Sequence, residues 1–218
     1  MMMGRMTAQI ATIAGRSALV GLLLLLGGCA GSLLPGSGPA PNLYTLTPKS
    51  TFRDDLPKVD WQLVVEEPLA AGGLDNVKIA LRPNQTEFKY FADARWTDRA
   101  PRMIQMLIVE SFENSGRIVA VGRQSVGLRS DYNLRSDLRE FQAEYFDDDN
   151  PVIRVRLNVK MIRQPRQEII ASETFEGSVR SEGRDMQSIV LAFDDALGTV
   201  LRRVVEWGLL TPGKVAPR

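Results

Sequence analysis

The chain has 218 residues, and 27 Lys and Arg against 26 Asp and Glu leave it near neutral, which argues against nucleic acid as its main partner. An apolar fraction of 44% is too high for a disordered chain and fits one folded domain with flexible ends. There is no His, so Ser-His-Asp and Cys-His catalysis and ordinary His/Cys zinc sites are excluded.

Residues 1–28 carry Arg5 and Arg16, no acid, and an apolar run over 18–26. A charged start followed by an apolar run is the layout of a secretory signal. The run is about half of the ~20 residues that a membrane-spanning helix needs. Met1, Met2, Met3 and Met6 leave the start codon open. Leu26-Gly27-Gly28-Cys29 follows. An apolar residue, two small residues and Cys resemble the lipobox of bacterial lipoproteins, whose Cys is acylated and becomes the first mature residue. The resemblance makes 1–28 a lipoprotein signal peptide and Cys29 the lipidation site. Cys29 is the sole Cys, so the mature chain is expected to hold neither a disulfide nor a free thiol. Ala30 stands where Asp retains enterobacterial lipoproteins in the inner membrane, and so points to the outer membrane, facing the periplasm. Loss of Arg5 and Arg16 takes the 27 basic residues to 25 against 26 acids, a net charge near −1.

Residues 29–42 then read as the lipidated Cys and a Gly/Ser/Pro tether, able to span roughly 40 Å at about 3.3 Å per residue. The folded domain is expected over 43–208, with a flexible tail over 209–218. Strands are expected at 61–66, stopped by Pro68, at 77–81, stopped by Pro83, and at 88–91. A helix follows, with Asp98 or Thr97 as N-cap, Pro101 in its first turn, an apolar face of Ile104, Leu107, Ile108 and Phe112, and an end at Asn114/Gly116. Residues 118–121 read as a buried strand and 132–141 as a strand with a bulge. The clearest strand is 152–163, with Ile153, Val155, Leu157, Val159 and Met161 on one face and Arg154, Arg156, Asn158 and Lys160 on the other. A turn at 164–167 returns the chain as a hairpin partner over 168–180, whose outer charges are expected across from that basic stripe. A second helix starts at Asp185, keeps a 3,4 spacing from Met186 to Val204 and is expected to close at Gly208. The fold class is mixed α/β: a single domain with a largely antiparallel sheet and two main helices packed against it.

No phosphate-cradling glycine motif is present. Asp147-Asp148-Asp149-Asn150 lacks the alternation, Gly and distal Glu of a calcium loop and reads as a solvated turn. The Arg154/Arg156/Lys160 stripe reads as a solvated face balanced by neighbouring acids, or as a surface for lipid headgroups or an acidic partner. Phe88, Tyr90, Phe91 and Trp96 read as core packing beside the first helix or as an apolar contact surface.

Several segments, in order, resemble the ABC-type transport auxiliary lipoproteins. They are Asn42-Leu43-Tyr44-Thr45-Leu46, Ala94-Arg95-Trp96-Thr97-Asp98-Arg99, Val121-Gly122-Arg123 and Asp131-Tyr132-Asn133-Leu134. Leu138-Arg139-Glu140-Phe141-Gln142, Val152-Ile153-Arg154-Val155, Ala171-Ser172-Glu173-Thr174-Phe175 and Ala192-Phe193-Asp194-Asp195-Ala196-Leu197 complete the set. The resemblance covers most of 29–208. It implies a PqiC-like outer-membrane partner of MCE lipid transport systems, docked with a periplasmic MCE-domain protein and powered by an inner-membrane permease and ATPase. It further implies a phospholipid cargo, self-association into homo-oligomers, and neither catalytic residues nor a cofactor or metal. Tyr90, Phe91, Arg95 and Trp96 are the residues we expect at the docking surface. The rival readings are a structural envelope lipoprotein that binds peptidoglycan or a lipopolysaccharide-export partner, and a carboxylate enzyme with two acids about 5–10 Å apart.

Overall fold

Two long segments of alternating burial, β7 (Tyr132–Glu144) and β8 (Val152–Arg163), give the sheet its spine. The computed structural model describes residues 40–124, 129–147 and 149–214; the signal segment, Cys29, most of the tether, Asp148 and residues 215–218 lie outside the described residues. Before the spine come β1 (Asn42–Tyr44), β2 (Val59–Val65), β3 (Leu69–Ala70), β4 (Lys78–Arg82), β5 (Lys89–Trp96), α1 (Ala100–Ser115) and β6 (Ile118–Arg123). After it come β9 (Glu168–Arg180) and α2 (Met186–Lys214). β1 and β3, with three and two residues, were too short to leave a periodic signal.

The two edges of β7 differ. On one, β8 runs antiparallel from Tyr132↔Arg163 to Glu144↔Val152, and β9 continues antiparallel outside it. The register shift between Leu138 and Glu140 is the bulge expected in this strand. On the other edge, three short parallel partners follow one another: β2 at Tyr132 to Leu134, β3 at Asp137 and Leu138, and β4 at Gln142 to Glu144. β6 adds outside β2, while β5 and then β1 add outside β4. Among the described residues the sheet is mixed, with nine strands whose longest ladders are antiparallel, and two helices pack against it.

The helices cover the face that carries Ile153, Val155, Leu157, Val159 and Met161, all buried as the alternation requires. At its centre Trp96, Phe141 and Phe193 stack with ring centroids 5.1–5.4 Å apart, joining β5, β7 and α2. α1 starts after Arg99, which makes no side-chain cap; Asp98 instead pairs with Arg102 at 3.2 Å, so the expected cap lies one residue too early. It ends at Gly116, whose φ of 60° is the left-handed conformation that glycine adopts without strain. The Asp185 carboxylate caps α2 by accepting the Ser188 N–H at 3.0 Å and its hydroxyl at 2.7 Å. Gly208 does not close this helix. A Cβ there would lie 2.8 Å from the Phe112 ring, so the glycine serves the close crossing of α1, and the helix runs on with Leu209 and Thr211 buried.

A strap from Leu46 to Leu56, both buried, crosses the two helices. Thr47 donates its N–H and its hydroxyl to the Asp194 carboxylate of α2 (2.6 and 2.7 Å). The Lys49 N–H donates to Ser111 Oγ (2.9 Å) of α1, and its carbonyl accepts from Asn114.

Candidate docking surface

The face of the sheet turned away from the helices carries charge, and that charge is paired. Lys160 Nζ lies 2.7 Å from Asp137, Arg156 2.6 Å from Glu140 and Arg154 3.3 Å from Glu144. Arg135 adds Glu66 at 2.8 Å. The acids that balance the basic stripe therefore sit chiefly on β7; from β9, Glu176 reaches Arg156 at 3.7 Å. In the ladder Glu140 lies directly opposite Arg156, whereas Asp137 and Glu144 sit opposite Asn158 and Val152 and reach Lys160 and Arg154 diagonally, two positions along β8. The pairs between β7 and β8 are part-buried, with Glu144 itself buried, and they support the register of that ladder. At the end of this face Asp147 and Asp149 pair with Arg180, whose guanidinium holds the Asp147 carboxyl below the usual carboxylate range.

The β4–β5 arm is different in kind. Phe88 and Tyr90 meet edge to face at 5.6 Å, and the Lys78 ammonium sits 4.9 Å from the Tyr90 ring centre. The Tyr90 hydroxyl donates to the Gly73 carbonyl at 3.1 Å, and the Phe88 ring lies 3.4 Å from where a Gly73 Cβ would be. These aromatics therefore pack against the 71–74 loop, not against the first helix. Asn76 donates to the Gly72 and Gly73 carbonyls, and Arg99 holds Asp75 and Glu67 (2.5 and 2.7 Å), which fixes the loop from its far side. Phe88 stays 41% exposed at the rim of an open cleft of about 390 Å³ with Arg82, Arg139 and Gln142 on its other side. Arg82 also lies over the exposed Phe146 ring at 5.3 Å.

The four residues expected at a docking surface do not form one patch. Trp96 is 1% exposed and belongs to the core triad. Arg95 folds back, its guanidinium donating to the Phe91, Ala92 and Ala94 carbonyls at 2.7–3.0 Å. β1 covers β5 at Ala94 to Trp96, so Arg95 satisfies edge carbonyls where β1 gives out. Tyr90 and Phe91 are half-buried against the core. Lys78, Arg82 and the 71–74 loop join the surface through pairings across β4, β5 and β7, which no local pattern announces. The period-2 placing of Lys78 and Arg82 on one face was the available signal.

Among the described residues no group of three or more His, Cys, Asp or Glu is placed to hold a metal ion, and no helix is long and apolar enough to cross a membrane. The surface can bind through apolar rim, cation and edge backbone.

The fold is shared. The crystal structure of a Xanthomonas campestris protein of family DUF330 superposes with a TM-score of 0.76 at 34% identity, covering 79% of this chain and 97% of that one. A solved uncharacterized protein at 12% identity gives a TM-score of 0.62 over 77% of this chain and 97% of its own, a likeness of fold alone. An uncharacterized Bradyrhizobium diazoefficiens protein is 25% identical over 80% of this chain, which spans about half (47%) of that relative's length. The model of the ABC-type transport auxiliary lipoprotein component matches residues 44–205, from β1 to α2. By that match across most of its folded domain, the chain belongs to the ABC-type transport auxiliary lipoprotein family, whose members have an accessory role in transport.

Proposed function

We propose that this chain is a non-enzymatic accessory lipoprotein of an MCE-type ABC system that moves phospholipid between membranes. Cys29 carries the lipid that holds it on the outer membrane, facing the periplasm. The observation that carries the reading is the family match over residues 44–205, downstream of Leu26-Gly27-Gly28-Cys29. The domain docks with a periplasmic MCE-domain protein through the β4–β5 arm. Phe88, Tyr90 and Phe91 supply apolar contact, Arg95 sets the strand edge, and Trp96 roots the arm in the core. Permease and ATPase in the inner membrane supply the energy.

The test is fractionation followed by a crosslinked pull-down of the native protein from membranes. Lipid-modified Cys29, an outer-membrane fraction and recovery of an MCE-domain protein are the expected results. Soluble protein with Cys29 unmodified would remove the anchor. Wall fragments or lipopolysaccharide-export proteins without an MCE partner would move the function to a structural envelope role.

A further inference from the structure

The strap lies across α2 at a second cleft, of about 360 Å³, on the helix side of the domain and away from the β4–β5 arm. Asp195, Gly198, Thr199 and Arg202 follow one another at i, i+3, i+4 and i+7, one face of the helix. Lys49 and Ser50 of the strap form the facing wall, and Val179 of β9 closes a third side. The wall is fixed. Thr47 is tied to Asp194 by two hydrogen bonds, and the Lys49 main chain is tied to Ser111 and Asn114 of α1. Gly198 leaves room for the Lys49 stem, whose Cδ lies 4.0 Å from where a Cβ would stand.

Most cations of this domain have carboxylate or carbonyl partners; neither the Lys49 ammonium nor the Arg202 guanidinium has an ion pair among the described residues. Lys49 and Arg202 both line this cleft with Thr199 and Ser50, and together they make a donor set that suits phosphate oxygens. The cleft also holds two acids. Asp194 is engaged with both Thr47 donors, which leaves Asp195 to face a ligand. Two cations and one available carboxylate favour a dipolar ligand over a simple anion. The volume lies near the low end of the roughly 300–1,000 Å³ typical of small-molecule sites, so it suits a headgroup and not a whole lipid.

We infer that this cleft binds a zwitterionic phosphoester of the phosphoethanolamine type. Its phosphate sits between Lys49 and Arg202, and its ammonium turns to Asp195. The source is a phospholipid headgroup or a free phosphoester; the proposed lipid on Cys29, with a tether reach of roughly 40 Å, keeps a headgroup surface close at hand.

The test is calorimetry on the full-length lipidated chain in dodecyl maltoside, with phosphoethanolamine, inorganic phosphate and dihexanoyl-phosphatidylethanolamine as probes. The Lys49→Ala/Arg202→Ala double variant should bind phosphoethanolamine about tenfold or more weakly. Asp195→Asn should weaken phosphoethanolamine while leaving inorganic phosphate unchanged. Unaltered melting temperatures show that both variants are folded. Tighter binding of the short-chain lipid than of free phosphoethanolamine assigns the site to a headgroup, and equal binding assigns it to a soluble phosphoester. Absence of binding, affinity unchanged in the double variant, or inorganic phosphate binding as well as phosphoethanolamine with no effect of Asp195→Asn overturns the inference. Transporter docking uses other elements and stands or falls separately.

Discussion

The half of the domain after Tyr132 is held together by chain neighbours, and the half before it by a distant template. β7, β8 and β9 pair in succession as long antiparallel strands, and α2 packs back on β8 and β9. β2, β3 and β4 are short and parallel, and each finds its place along a stretch of β7 that is made later in the chain. Long local ladders give each strand its own register. Short parallel strands borrow theirs, at the loop-closure cost of contacts far apart in sequence. The borrowed half carries the exposed aromatic arm, while the self-reliant half carries the paired charge ladder.

The two halves meet at Trp96, Phe141 and Phe193, and the sharpest way to break the comparison is there. Phe193→Ala should cost about 3–5 kcal/mol by urea unfolding and still give one transition, because without β7 the early half is split into two unjoined strand groups, β1–β5–β4 and β2–β6. Two separate transitions would mean that the early half stands alone. Gly177→Ala comes next. A Cβ there would strike the Ala196 carbonyl oxygen, forcing α2 off β9 at a cost of about 1–3 kcal/mol, read as a lowered urea midpoint.

Legibility follows the same division. The strand at 152–163, its hairpin partner and the bulge in β7 were readable because one buried face imposes strict alternation on long strands. β1 and β3 were not, since two or three residues carry no period. β5 runs from Lys89 to Trp96, well past the expected 88–91. Its second half alternates in burial from Asp93 to Trp96, but with Ala94 as one of its two inward residues the sequence shows little apolar period there. Gly208 resembled a helix stop, because a glycine needed for a helix crossing and one needed for a cap look alike in sequence. Of the residues expected at a docking surface, the inward turn of Trp96 and the backward fold of Arg95 were not legible, because they depend on Phe193 and β1, far away in the chain.

Smaller effects sharpen the picture within the later half. Ser136 is fully buried on β7 between the ends of β2 and β3, and its hydroxyl has no hydrogen-bond partner among the described residues. Ser136→Ala should therefore be neutral or stabilise by up to about 1 kcal/mol in thermal unfolding. The smallest effect is at the start of α2. The Ser188 hydroxyl and N–H hold the Asp185 carboxyl below its ordinary value, so its stabilisation is present above the ordinary Asp range and is lost as pH falls through the lowered value. Asp185→Ala should thus melt slightly below wild type at neutral pH, and the gap should close in acid.

The most direct test of docking through the borrowed half is site-specific photocrosslinking in intact membranes. A photoreactive residue replaces Phe91 in one lipidated chain and the exposed Glu173 of β9 in another. Crosslinks to an MCE-domain protein from position 91, and none from position 173, are expected. The same partner captured from 173 alone, or no MCE-domain protein from either position, would contradict it.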